Sequence, residues 1–185
     1  MSTFPQVGTH AFLGIRYAEP PVGEHRPGAG PARPWPGIRD AAEYGPTAPR
    51  PRQDLTLIPE PVVPGDDFLN LNLFTPDLGS ANLPVLVWIH GGSFFSGCNR
   101  SPGYRGESFA RDGAVLVSVN YRLGAEGSWT STGSQSDSAA AIARTASVVT
   151  CLGPGPVAVG QVDSFTTTVS LGQCTNTFWP LTPMA

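Results

Sequence analysis

The sequence predicts an α/β fold, and three features carry that prediction. In "PVLVWIH", Pro84 to His90, the residues Val85 to Ile89 form a continuous apolar run of the kind shown by a strand covered on both faces. "AVLVSVNY", Ala114 to Tyr121, is a second run of the same character. Between them lie a glycine-rich loop and a short helical stretch. Strand, loop, helix and strand therefore follow one another as in a βαβ unit with parallel strands.

The remaining elements read in chain order. Ala11 to Arg52 is studded with proline, in "AEPPVG", "RPGAGPARPWPG" and "YGPTAPRPR". Proline's fixed φ and missing N–H exclude long helices and central strands. The segment reads as ordered coil wrapped over the surface and anchored by Phe12, Ile15, Tyr17, Trp35, Ile38 and Tyr44. In "DDFLNLNLFTPD", Asp66 to Asp77, leucine and asparagine alternate from Leu69 to Leu73, the period of a half-buried strand, and Pro76 stops it. A short helix is expected from about Gly106 to Arg111, ended by Gly113. Past Gly127 serine and threonine dominate, only Asp137, Arg144 and Asp163 are charged, and neither sheet nor helix periodicity persists. Residues 128–185 therefore do not read as a continuation of the same sheet. The alternative is a small β unit built from "VVTCLG", "PVAVG" and "FTTTVSLG".

Composition removes several classes of function. Charged residues make up 14% of the chain, the net charge is -3, and no basic field is present to attract phosphate backbones, so nucleic acid is not an expected partner. No run of about 18 apolar residues spans a membrane, and "MSTFPQVGTH" lacks the charged and apolar regions of an export signal. A cytoplasmic location is expected. Cys98, Cys151 and Cys174 are odd in number and widely spaced, which fits neither a disulfide framework nor a zinc site. No metal and no cofactor is expected. All 11 basic residues are arginine, and Gly (22) and Pro (20) are abundant, the usage of a GC-rich coding sequence.

The chemistry concentrates at "HGGSFFSG", His90 to Gly97. Backbone N–H groups at a glycine-rich turn after a strand can face one point, because glycine adopts conformations closed to other residues and has no Cβ to block approach. Such donors stabilise the oxyanion that develops when an ester carbonyl is attacked, and losing one typically costs about 10²–10³ in rate. Gly91 and Gly92 alone are equally compatible with a plain tight turn. His90 has no second His, Asp or Glu at ligand spacing, so it reads as a side chain that orients the loop rather than a metal ligand or general base.

Five ordered blocks give this loop its company: "FLGIRYAEPPVG", "PWPGIRDAAEYGPTAP", "GDDFLNLNLFTP", "PVLVWIHGGSFFSG" and "GAVLVSVNYRLGAEG". Over roughly residues 10 to 127 the chain resembles the N-terminal portion of type B carboxylesterases, the family that also holds cholinesterases and para-nitrobenzyl esterases. The resemblance implies an α/β-hydrolase domain over 1–127, with a central, mostly parallel sheet. It implies a serine esterase acting on small, largely apolar carboxylic esters, with an oxyanion hole partly supplied by the loop after a strand. The family's H-G-G-G/A-F element falls on His90, Gly91, Gly92, Ser93 and Phe94. Gly92 and Ser93 would supply the donors, Gly91 the bend, and His90 and Phe94 the orientation. Ser93 stands where the family has Gly or Ala, which a main-chain donor tolerates if its hydroxyl faces away; it is not read as a nucleophile. Asp66 and Asp67 match an acidic pair read as structural, and Phe68 stands where animal members have a disulfide cysteine.

The resemblance stops after "NYRLGAEG". The family continues with a loop, a long amphipathic helix and a G-E-S-A-G elbow, whereas Ser128 to Ala185 holds no G-x-S-x-G; "GSQSDS" and "VDSFT" lack the flanking glycines. The histidines are His10, His25 and His90, and the family's catalytic acid and histidine lie much further along. The expectation is a chain that carries the oxyanion loop without a triad and turns over little or no ester. Its tail would be a non-homologous segment, out of frame or poorly ordered. The alternative is a non-catalytic binding module on an esterase scaffold.

Overall fold

The computed structural model describes residues 8–26, 29–33, 35–36, 38–50, 58–78 and 83–128, with strand residues 157–160, 167–169 and 181–182. Its strands are β1 (His10–Arg16), β2 (Arg39–Asp40), β3 (Asn70–Thr75), β4 (Val85–Ile89), β5 (Val115–Val119), β6 (Val157–Gly160), β7 (Thr167–Val169) and β8 (Leu181–Thr182). Two short helices accompany them, α1 (Glu107–Arg111) and α2 (Ala125–Ser128). A six-stranded sheet runs in the order β1-β3-β5-β4-β6-β7, and β2 pairs separately with β8.

The βαβ unit is present: β4 and β5 are parallel and in register from Val85↔Val115 to Ile89↔Val119, with α1 crossing between them. β4 is also parallel to β6, but β1, β3 and β7 join antiparallel, so the sheet is mixed rather than mostly parallel.

One face of the sheet is aliphatic. Val85, Val87 and Ile89 of β4 and Val115, Val117 and Val119 of β5 pack with Leu71, Leu73, Phe12 and Ile15. On the other face Ala110 of α1 sits against Leu13, Phe74 and Leu116. Gly106, which precedes α1, approaches so closely that a Cβ there would lie 2.7 Å from both Phe74 and Leu116. Leu86 and Trp88 are only partly buried, so β4 is less covered on this face than its apolar run implied.

β3 is buried on both faces rather than half-buried, Asn70 and Asn72 included. Alternation implies an exposed face only when the polar side chains lack internal partners. Here Asn70 Nδ2 donates to the Pro46 carbonyl at 2.8 Å, while Asn72 Oδ1 accepts the Gly14 N–H at 3.0 Å and its Nδ2 donates to the Asn99 carbonyl at 3.1 Å. The proline-rich segment is also not coil from its start, because His10–Arg16 forms β1 at the edge of the sheet. Its prolines begin at Pro20, beyond the strand. Phe12, Ile15 and Tyr17 anchor this segment and Trp35 packs beside them, but Ile38 is 69% exposed and anchors nothing.

The tail does continue the main sheet, against expectation: the strands expected within "PVAVG" and "FTTTVSLG" appear as β6 and β7, β6 pairing parallel with β4 and β7 antiparallel with β6, so they neither lie apart from that sheet nor form a unit of their own. "VVTCLG" lies outside the described residues, as does most of 128–185.

Candidate active site

Parallel strands deliver consecutive loops to the same edge of a sheet, and ligands of open α/β sheets bind outside the carboxyl ends of the strands. The loops that leave β4 and β5 at that edge are His90–Gly97 and Asn120–Gly124. Residues Asn120, Tyr121, Arg122 and Leu123 are buried, whereas Gly91, Gly92, Ser93, Phe94 and Phe95 are exposed.

His90 is 2% exposed and fixes the start of the loop. Its ring stacks on Tyr121, with centroids 4.3 Å apart and planes 18° from parallel, and the Tyr121 hydroxyl donates to the His90 carbonyl at 2.7 Å. Imidazole Nδ1 lies 2.9 Å from the Gly91 carbonyl, which can only accept, so Nδ1 carries the proton. Burial is the main cause that pulls the His90 pKa down to about 4; the bond to Gly91 opposes it, and the positive charge of Arg50 adds to it. The ring is neutral at pH 7 and acts as a one-proton clamp. Burial likewise pushes the Tyr121 hydroxyl up to about 12, so it stays a donor.

The turn that follows is left-handed at three successive residues: Gly92 (φ 116), Ser93 (φ 52) and Phe94 (φ 63). Only the first of these is glycine. A Cβ on Gly92 would sit 2.2 Å from the Ser96 carbonyl oxygen, so glycine is obligatory there. Gly91 is different: it is absent from the positive-φ residues, and nothing lies within 4 Å of where its Cβ would be. The bend therefore belongs to Gly92, Ser93 and Phe94 rather than to Gly91.

The hydrogen bonding of this turn decides which way its amides face. The Gly91 carbonyl is held by His90 Nδ1, and the Gly92 carbonyl accepts from Phe95 N–H at 2.9 Å and Ser96 N–H at 3.1 Å. Among the described residues every peptide bond is trans, so each N–H points opposite to the carbonyl of its own peptide unit. With both carbonyls engaged inside the loop, the Gly92 and Ser93 N–H groups face away from those contacts. Among the described residues neither donates a hydrogen bond. Phe94 closes the turn: its carbonyl accepts Gly124 N–H at 2.5 Å and its ring meets Tyr121 edge-on at 5.7 Å.

The other candidate residues fall elsewhere. Asp67 pairs with Arg16 at 2.9 Å and Asp66 is exposed, in keeping with a structural role for this pair. Burial raises the Asp67 pKa more than Arg16 and Arg39 lower it. Phe68 is buried in the core, and Cys98 is a free, buried thiol. His10 lies in β1 and His25 in an exposed single turn of helix. No group of His, Cys, Asp and Glu able to hold a metal occurs among the described residues, and none of their helices is long and apolar enough to cross a membrane.

Sequence reasoning did not find Tyr121, Glu60 or Arg50. Tyr121 was findable in principle, because in-register parallel strands ending at Ile89 and Val119 bring the loop that starts at His90 beside the one that starts at Asn120.

A glycine turn with outward amides stands at the carboxyl edge of parallel strands in a mixed sheet, and the solved structures that superpose on this chain are carboxylesterases of the α/β-hydrolase fold. The chain belongs to the carboxylesterase family, the type B carboxylesterases, whose model matches residues 2–139. It is similar to a phenmedipham hydrolase of Pseudarthrobacter oxydans, 44% identical over 133 residues that cover 63% of this chain and 25% of that protein. It is also similar to the para-nitrobenzyl esterase of Bacillus subtilis, 45% identical over 121 residues that cover 63% and 24%. Among solved structures, a PNB esterase superposes with a TM-score of 0.72 at 36% identity over 85% of this chain and 35% of that one. A carboxylesterase of Geobacillus stearothermophilus gives 0.70 at 30% identity over 83% and 34%. The chain thus spans about a quarter of the length of the curated relatives it matches.

Proposed function

We propose that this chain carries the oxyanion-binding loop of a carboxylic-ester hydrolase that acts on small, largely apolar esters. Gly92 and Ser93 are the donors, and His90 and Phe94 hold the turn that presents them. In such an enzyme a serine attacks the ester carbonyl, a histidine takes the serine's proton and delivers it to the leaving alcohol, and an acid orients the histidine. Charge then builds on the carbonyl oxygen, and amides held in advance stabilise it without reorganising. The observation that carries the reading is the engagement of the Gly91 and Gly92 carbonyls, which leaves two successive N–H groups facing outward.

Because the sequence contains no G-x-S-x-G elbow, the 185-residue chain is proposed to turn over ester negligibly. The purified chain is expected to hydrolyse para-nitrophenyl acetate no faster than bulk protein and to resist serine-directed fluorophosphonate labelling. Hydrolysis above that background, lost on labelling, contradicts the proposal. The loop itself is tested by titrating ¹⁵N-labelled chain with acetate: the Gly92 and Ser93 amide signals are expected to shift together, and unmoved signals argue against the oxyanion role.

A second reading is a non-catalytic binding module, favoured by exposed Phe94 and Phe95 beside the same amides. The acetate titration separates the two, joint shifts at Gly92 and Ser93 favouring the oxyanion loop and unmoved amides favouring the module. The chain beyond residue 139, where the family match ends, is proposed to be an out-of-frame reading of the coding sequence. A G-x-S-x-G elbow encoded downstream in another frame supports this, and its absence from every frame contradicts it.

A further inference from the structure

The far end of the glycine loop is held by groups that the family motif does not include. Glu60 and Arg50 form an ion pair whose side chains are only 10% and 12% exposed, and the Arg50 guanidinium also donates to the Glu60 carbonyl. The Glu60 carboxylate accepts the Gly97 N–H at 3.0 Å. Next to it, Cys98 Sγ lies 3.6 Å from the Pro61 carbonyl, so the segment around Glu60 runs along the loop's exit. Gly97 itself is left-handed (φ 101) and wedged: a Cβ there would lie 2.2 Å from His90 Nδ1 and 2.5 Å from the Gly91 carbonyl oxygen. The residue that Glu60 grips is therefore in direct contact with both partners of the hydrogen bond that turns Gly92 N–H outward.

A buried ion pair is weak grounds for stability, since desolvating two charges offsets most of their attraction. Its contribution here is positional. We propose that the Arg50–Glu60 pair is a positioning element of the oxyanion loop, in which Glu60 holds Gly97 against the His90 ring and so keeps the Gly92 and Ser93 amides presented. The role in ester chemistry rests on the reading given above; the mechanical coupling from Glu60 to the loop does not.

The test uses the full chain, with ¹⁵N amide spectra, amide exchange and a ¹³C-detected titration of the His90 ring, in the variants Glu60→Ala, Glu60→Gln and Arg50→Met. Glu60→Ala removes the acceptor for Gly97. It is expected to displace the Gly92, Ser93 and Gly97 signals and to speed exchange at Phe95 and Ser96 about tenfold, while Val115–Val119 keep wild-type protection. Glu60→Gln retains an acceptor oxygen and is expected to restore those amides to their wild-type positions. The charges act separately. Loss of the carboxylate in either Glu60 variant leaves Arg50 unopposed and lowers the His90 pKa, whereas Arg50→Met leaves the carboxylate unopposed and raises it. If Glu60→Ala does not fold, Arg50→Met decides by the same signals.

Wild-type amide positions in both Glu60→Ala and Arg50→Met, or changes spread evenly over β5, overturn the proposal. A wild-type chain whose amides ignore acetate, but whose loop still responds to Glu60→Ala, overturns the oxyanion role and leaves the positioning role standing.

Discussion

Two loops leave adjacent parallel strands at the same edge of the sheet, and they are built in opposite ways. The loop after β5 is buried, with Asn120 at 1% and Tyr121 at 5% exposure and their polar groups hydrogen-bonded inside the protein. Its neighbour after β4 is exposed, left-handed at three successive residues, and leaves two amides without an acceptor among the described residues. The contrast teaches a division of labour. Backbone strain costs roughly 1–3 kcal/mol per residue and persists only where the surroundings over-determine it, and the buried loop supplies that determination through Tyr121 and Gly124.

The largest effect expected from breaking this arrangement comes from Gly92→Ala, which adds a forbidden φ to a Cβ 2.2 Å from the Ser96 carbonyl. A loss of about 4 kcal/mol in urea unfolding is expected.

Next is acid. Because the folded His90 pKa lies near 4 and its ordinary value is 6.5, the unfolded chain binds a proton first as pH falls. The stability tied to neutral His90 is complete above about pH 6.5 and is lost down to about pH 4, on the order of 3 kcal/mol in full. Unfolding curves of the wild type and His90→Gln across that window should converge at low pH, and parallel curves would count against the clamp.

Tyr121→Phe removes the donor to the His90 carbonyl while preserving the stacked ring, and should cost about 2 kcal/mol by the same assay. Ser93→Gly relieves a left-handed serine and should stabilise by up to about 1 kcal/mol. The smallest effect sharpens the comparison most finely: Gly91→Ala enters open space at an ordinary φ and should change stability by less than about 0.5 kcal/mol.

Much of this frame was legible in the sequence. Two apolar runs fixed β4 and β5, and Gly113 marked the end of α1, because continuous hydrophobicity and a terminal glycine are local signals. That His90 and Phe94 bracket the exposed turn holding Gly92 and Ser93 followed from the ordered motif. What the pattern hid was tertiary. The asparagines of β3 look solvent-facing until Pro46 and Asn99 are brought to them from elsewhere in the chain. The bend was assigned to Gly91 because composition marks both glycines alike, and only the backbone angles separate them. Glu60 reaches Gly97 from a segment that lies before β3 and β4 in the chain, a contact no periodicity announces.

The central claim, that Gly92 and Ser93 amides face outward because the Gly91 and Gly92 carbonyls are held within, is tested most directly by residue-resolved amide hydrogen exchange. Fast exchange at Gly92 and Ser93, beside slow exchange at Phe95 and Ser96, is the predicted result. Protection at Gly92 and Ser93 equal to that of Val117 would contradict it.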